Sequence, residues 1–168
     1  MRIYVPATLD ELDTVEAGRT SARWSLTPRS VHGVTRALVA ELPDEDAEGV
    51  EYAAFLDAAA ASLALLAALP DTPPQRAVVT VEAPDDLLEP ADAADPDAAA
   101  STLRLTAALP DVPIVCVHAD EPDAAADVAA VRAAADTDDD EALADAVQAV
   151  TDRDLLWYDW SEVGTVPR

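Results

Sequence analysis

The chain opens on an alternation. From Arg2 to Pro6, Ile3 and Val5 interleave with Tyr4, the period-two pattern of a half-buried strand, and Pro6 ends it. Thr8 then stands where a helix cap belongs, with Leu9, Leu12 and Val15 on one face and Gly18 to close the turn. A short strand is expected about Arg23 to Leu26. Thr27-Pro28 reads as a helix start, with Thr as cap and Pro at the first helical position. Val31, Val34, Leu38 and Leu42 would be the inner face of that helix, which stops before Pro43. The longest helix is predicted over about 47 to 69, buried along Tyr52, Phe55, Leu56, Ala59, Leu63 and Leu66.

Pro70, Pro73 and Pro74 punctuate the chain before Val78, Val79 and Val81, which predict a strand from Arg76 to Ala83. Residues 84 to 100 hold three Pro among many Asp and Ala and read as a loop or a weak helix. Leu103 to Thr106 has strand periodicity, although a similarity at an offset of 40 residues, between 57–73 and 97–113, suggests a helix there; the strand is favoured. Pro113 to Ala119 is predicted as a strand, its Ile114 to Val117 apolar on both faces, as a central strand is. Pro122 opens a helix to about 135 with Val128 and Val131 inside. A second runs from about 139 to 151 with Leu143, Val147 and Val150 inside. Leu155 to Trp160 is an aromatic strand, and residues 163–168 are expected to fray. The alternation of elements predicts one layered α/β domain over 1–168, with helices packed on a mixed sheet of four to six strands.

Composition narrows the chemistry. Hydrophobic residues make up 51% of the 168 positions, and 38 of them are Ala. The remaining larger apolar side chains suffice for one core. All ten basic residues are Arg; there is no Lys and no Asn. Schiff-base chemistry, a phosphate-loop lysine and N-glycosylation are thereby excluded. Gly18, Gly33, Gly49 and Gly164 lie too far apart to form a glycine-rich nucleotide loop. Cys116, the single cysteine, cannot form an intramolecular disulfide.

The nearly apolar run Ala58 to Leu69 is shorter than the ~20 residues of a bilayer span. No apolar stretch follows a charged start behind Met1. A cytoplasmic protein without membrane attachment is expected. The net charge of -24 argues against direct nucleic-acid binding. It leaves a solvated acidic surface or a basic protein partner. The run Asp136 to Glu141 starts like a calcium loop but lacks the sixth-position Gly, and Val147 stands where the bidentate Glu belongs. It reads better as helix-capping carboxylates. No cofactor is expected.

A resemblance emerges from several short stretches. Residues 2–8 (Arg-Ile-Tyr-Val-Pro-Ala-Thr), Leu26-Thr27-Pro28, Glu51-Tyr52-Ala53-Ala54, His118-Ala119-Asp120 and Leu155-Leu156-Trp157-Tyr158 resemble, in that order, an actinobacterial domain family of unknown function. The resemblance spans the whole chain and implies a high-G+C bacterial, cytoplasmic origin. It brings no activity, cofactor or catalytic residue with it.

Three clusters are candidate sites. Residues 1–36 carry net charge +1 and residues 37–168 carry -25. On the helix expected from Thr27, residues Arg29, His32 and Arg36 share a face near the free N–H groups, an arrangement suited to an anion. That anion would be an internal carboxylate or a phosphate-like ligand. Cys116, His118 and Asp120 alternate along one strand toward one face. Thiol, imidazole and carboxylate serve covalent catalysis and zinc binding. However, neighbours on one strand face stand ~6.5–7 Å apart, too far for direct proton transfer. A metal would need further ligands, and His32 is the only other histidine; no metal is expected, and a buried Cys at a strand end accounts for the pattern. Trp157, Tyr158 and Trp160 serve either the core or an interface. The functional expectation is a non-enzymatic cytoplasmic binding or accessory module. The competing reading is a small hydrolase or anion-ligand-binding enzyme using Cys116, His118 and Asp120.

Overall fold

The structure, a computed structural model, describes residues 1–92, 95, 98–137 and 139–168. Part of the predicted 84–100 loop and Asp138 of the acidic run lie outside the described residues. Strand β1 (Arg2–Thr8) is the axis of the sheet. On one side it pairs antiparallel with β5 (Arg76–Glu82), from Arg2↔Glu82 to Thr8↔Arg76. On the other it meets β4 (Ser30–His32), which continues to β7 (Thr102–Leu105) and β6 (Leu88–Pro90). Beyond β5 lies β8 (Leu109–Ala119), long enough to hold two neighbours along its far side. These are β3 (Ala22–Leu26) at its start and β9 (Leu156–Asp159) at its end, with β2 (Glu16–Ala17) pairing β3.

The α/β class holds, but the expected mixed sheet of four to six strands does not. The described residues form one curled antiparallel sheet of nine strands. Strands of two or three residues, such as β2, β4 and β6, are too short to display a period of two.

The predicted helix after Thr27-Pro28 is the largest correction. Ser30 to His32 is strand β4, and helix α2 (Arg36–Glu41) begins six residues after Ser30, capped by Thr35, whose hydroxyl accepts from Leu38 N–H. Val31, spaced as a helix residue, is fully buried in a strand between β1 and β7. Sheet pairing overrides the local Thr-Pro signal. Thr8 caps only a single turn, α1 (Leu9–Leu12). Leu103 to Leu105 is a strand, as periodicity favoured, and not the helix that the 40-residue similarity suggests there.

One face of the sheet packs Ile3, Val5, Val79, Val81 and Val117 around Trp24 and Leu105. The C-terminal stretch completes this core. Residues 163–168 do not fray: Val163 and Val166 are buried and Arg168 forms an ion pair with Asp13.

The other face carries helix α3 (Ala47–Ala68) over Tyr4 and Val78. Its buried residues are Val50, Ala54, Ala58, Ala59, Ser62, Leu63 and Leu66, of which Ala54, Ala58 and Ser62 are small and spaced by four. These three let the helix lie close to the strands. Ser62 Oγ even enters the β1–β5 pairing, donating to the Ala7 carbonyl at 2.8 Å and accepting from Ala77 N–H at 3.0 Å. Of the expected stripe, Ala59, Leu63 and Leu66 are buried and Phe55 is partly buried, whereas Tyr52 and Leu56 are 56% and 43% exposed. By length and composition α3 could cross a membrane, yet Ala54, Ala58 and Ser62 are packed on the sheet. Helices α4 (Ala125–Ala135) and α5 (Asp140–Thr151) pack against its C-terminal half through Leu63, Leu66, Val128, Val131 and Val150. Asp139 caps α5, accepting from Ala142 N–H.

Candidate binding site

The residues expected to receive an anion do not share a helix face. Thr27 and Arg29 lie in the loop before β4, His32 ends β4, and Arg36 is exposed at the start of α2. The Arg29 guanidinium is committed to Glu11 and to the Pro6 carbonyl, the latter at 2.7 Å. His32 is buried, and burial lowers its pKa, with Asp57 acting in the opposite direction. Its Nδ1 lies 2.8 Å from Ser101 Oγ, which donates to Asp57 Oδ2 at 2.6 Å. With its proton directed at Asp57, the Ser101 hydroxyl accepts from Nδ1–H. It is also fully buried, so this His–Ser–Asp chain joins β4 to α3 and offers no accessible nucleophile.

Cys116, His118 and Asp120 do not converge either. Asp120 is 1% exposed and fully occupied by Arg76. Its two oxygens accept from Arg76 backbone N–H at 2.8 Å, Nε at 2.9 Å and Nη2 at 2.8 Å. Cys116 is buried, registered between Thr80 on β5 and Asp159 on β9. Among the described residues, no three of His, Cys, Asp and Glu gather closely enough to hold a metal.

His118 is placed differently. Its ring packs against Phe55 at 4.6 Å between centroids, and both line a cavity of about 400 Å³. Strand β1 contributes Tyr4 to this cavity, α3 contributes Glu48, Glu51 and Tyr52, and the approach to β9 contributes Asp154 and Leu155. Alternation on β1 explains Tyr4, since Ile3 and Val5 point into the opposite core. On α3, Glu48, Glu51, Tyr52 and Phe55 fall at three- and four-residue spacing and share a side.

The aromatic rings form a connected surface. Tyr52 stacks on Phe55 at 6.0 Å and 24°, and Phe55 meets Tyr4 edge-on at 6.1 Å and 75°. Trp157 stands opposite His118 in the register, on the same sheet face, and is 58% exposed. Tyr158 and Trp160 instead pack partly into the main core. Four of the seven aromatic residues are thus at or beside one cavity.

Its electrostatics are acidic. Glu51 Oε2 accepts from Arg2 at 3.2 Å and faces the Tyr4 hydroxyl at 3.4 Å. Burial and Glu51 push the Tyr4 phenol up to about 12, so it stays a neutral donor. Burial lowers the His118 pKa, and its Nδ1 is buried without a partner. The imidazole is therefore neutral near pH 7 and adds no positive charge. None of the residues lining the cavity is cationic, whereas Glu48, Glu51 and Asp154 are carboxylates. Aromatic faces beside carboxylates are an environment for a cation. In the sequence Tyr52 and Phe55 fit an ordinary buried stripe; their only outward sign is that Glu48 and Glu51 share their side of the helix.

The fold and this pocket define a small α/β protein with an acidic, aromatic cavity. The chain belongs to DUF6912, a family of unknown function, which matches residues 1–166. No curated protein and no solved structure matches it significantly.

Proposed function

We propose that this is a non-enzymatic, cytoplasmic binding module whose pocket receives a cationic group of a basic partner protein. The observation that carries the reading is the lining of the 400 Å³ cavity: Tyr4, Tyr52 and Phe55 beside Glu48, Glu51 and Asp154. A guanidinium or ammonium placed there meets ring faces and carboxylates together, each contact worth ~0.5–2 kcal/mol according to its desolvation. The net charge of -24 would also speed the approach of a basic protein. The hydrolase alternative has less support, because Asp120 is held by Arg76 and Ser101 is fully buried.

The test is an NMR titration with an unstructured nine-residue Arg/Gly peptide. Shift changes are expected to concentrate on residues 48–55, 118 and 154–155, and to fall away in the double variant Glu51→Gln/Tyr52→Ala. Changes spread evenly over the acidic surface, and unaltered in that variant, would sink the reading.

A further inference from the structure

The acidic cavity adjoins a second space. Between α3 on one side and α4 and α5 on the other runs an apolar groove of about 390 Å³, and the two spaces share Tyr52, Phe55, Asp154 and Leu155. Its walls include Leu56, Ala60 and Ala64 of α3 and Leu143 and Val147 of α5. Leu56 and Val147 remain 43% and 36% exposed. From Tyr52 to Ala67 the α3 wall is about 22 Å long at 1.5 Å per residue, the length of four helical turns.

Charge decides what fits. The charged residues that line the groove are Asp154, Arg76 and Arg153; outside its lining, α3 and α5 contain no basic residue and carry Glu48, Glu51, Asp140, Glu141 and Asp145. The cations that do reach the groove are already committed, Arg76 to Asp120 and Arg153 to Asp127. Arg132 of α4 donates instead to carbonyls at the end of α3. A second copy of this chain, a nucleic acid or an anionic membrane would each bring more negative charge. Resting on the reading of the adjoining pocket given above, we infer that the groove docks a basic amphipathic helix of a partner protein. The apolar face of that helix lies along Leu56 and Val147, and one of its Arg or Lys residues enters the pocket at Glu51 and Tyr52. This is the helix-in-groove mode, in which anchors recur every three or four residues.

The experiment is calorimetric titration of the full chain with an 18-residue Leu/Lys peptide of helical periodicity. A scrambled peptide of the same composition is the control. The periodic peptide is expected to bind at least tenfold more tightly and to gain helicity by circular dichroism. Leu56→Asp and Val147→Asp should each weaken it at least tenfold. Each adds a negative charge, so simple attraction of Lys to an acidic surface would do the opposite. Both positions are exposed, and thermal melts would verify that the variants fold. Equal binding of the two peptides, unaltered by Leu56→Asp, would overturn the helix inference; a concurrent loss in Glu51→Gln/Tyr52→Ala would leave the cation pocket standing. Loss in Leu56→Asp without loss in Glu48→Gln/Glu51→Gln, which alters the pocket alone, would support the groove and overturn the pocket. No binding by either peptide would overturn the inference.

Discussion

The Arg76 guanidinium meets both carboxylate oxygens of Asp120, with 4% and 1% of the two side chains exposed. The pair joins the start of β5 to the end of β8, and the backbones close the same junction, with Asp120 N–H donating to the Arg76 carbonyl at 3.0 Å. Arg76 Nη2 also donates to the Arg153 carbonyl, and Gln75 to the Asp120 carbonyl. Both oxygens of Asp120 and the Nε and Nη2 of Arg76 are answered, the condition under which burying two charges is tolerable.

Removing one partner leaves the other charged and buried. Asp120→Ala and Arg76→Ala are each expected to cost ~3–5 kcal/mol, far more than an exposed pair would. The double variant Arg76→Met/Asp120→Leu should be more stable than either single one, because no lone charge remains. Urea unfolding of the four proteins gives the comparison. A double variant no more stable than either single one would show that the stranded charge is not the source of the loss.

This junction also shows what the sequence conveys. Strands β5 and β8 are legible because Val78, Val79 and Val81, like Ile114, Val115 and Val117, are β-branched residues between proline-marked turns. The role of Asp120 is not legible, because its partner lies 44 residues away. β4 is hidden for a related reason: Val31, Val34 and Leu38 have helical spacing, and only the neighbouring strands make Val31 extended. Helix α3 is predicted nearly to the residue, and Ala59, Leu63 and Leu66 are buried as expected, but Tyr52 and Leu56 are not. Hydrophobicity favours Tyr52, Phe55 and Leu56 as the inward face, whereas close packing selects Ala54, Ala58 and Ser62. The large side chains left at the flank build the pocket, so the same misjudgement conceals the site.

Two histidines set the pH response near neutrality. Burial lowers the pKa of His32 and of His118 below 6.5, with Asp57 partly offsetting the effect at His32. The unfolded chain therefore takes up protons first as pH falls through 6.5, and stability declines from there toward the folded pKa values. Above about pH 7.5 the contribution is complete and flat. Each histidine can contribute a slope of at most ~1.4 kcal/mol per pH unit. Melting temperatures between pH 7.5 and 5.5, above the ordinary carboxylate range, should fall on acidification. His118→Gln should fall less steeply than the wild type. A melting temperature that rises on acidification through this window would contradict the assignment of both histidines as neutral in the fold.

Arg132 provides the last prediction, because it ties the helices of the groove together. Helix α3 ends at Ala68 with its final carbonyls unpaired within the helix, the negative end of its dipole. Arg132, projecting from α4, donates through Nε to the Leu66 carbonyl at 2.9 Å and through Nη2 to the Leu69 and Thr72 carbonyls at 3.2 and 3.1 Å. Nη1 reaches the Pro70 carbonyl at 3.2 Å. A planar fork with five donors can serve these diverging acceptors together, whereas a lysine ammonium presents one compact charge. Arg132→Ala is expected to lose ~2–3 kcal/mol, since hydrogen bonds from a charged donor are worth ~1.5–3 kcal/mol against partners that must then be resolvated. Arg132→Lys keeps the charge near the dipole and should recover less than half of that loss. Denaturant unfolding measures both. The two variants should also weaken the Leu/Lys peptide in the same order, because α4 is one wall of the groove and this arginine sets its distance from α3. If Arg132→Lys proves as stable as the wild type, charge alone terminates α3 and the fork geometry contributes nothing.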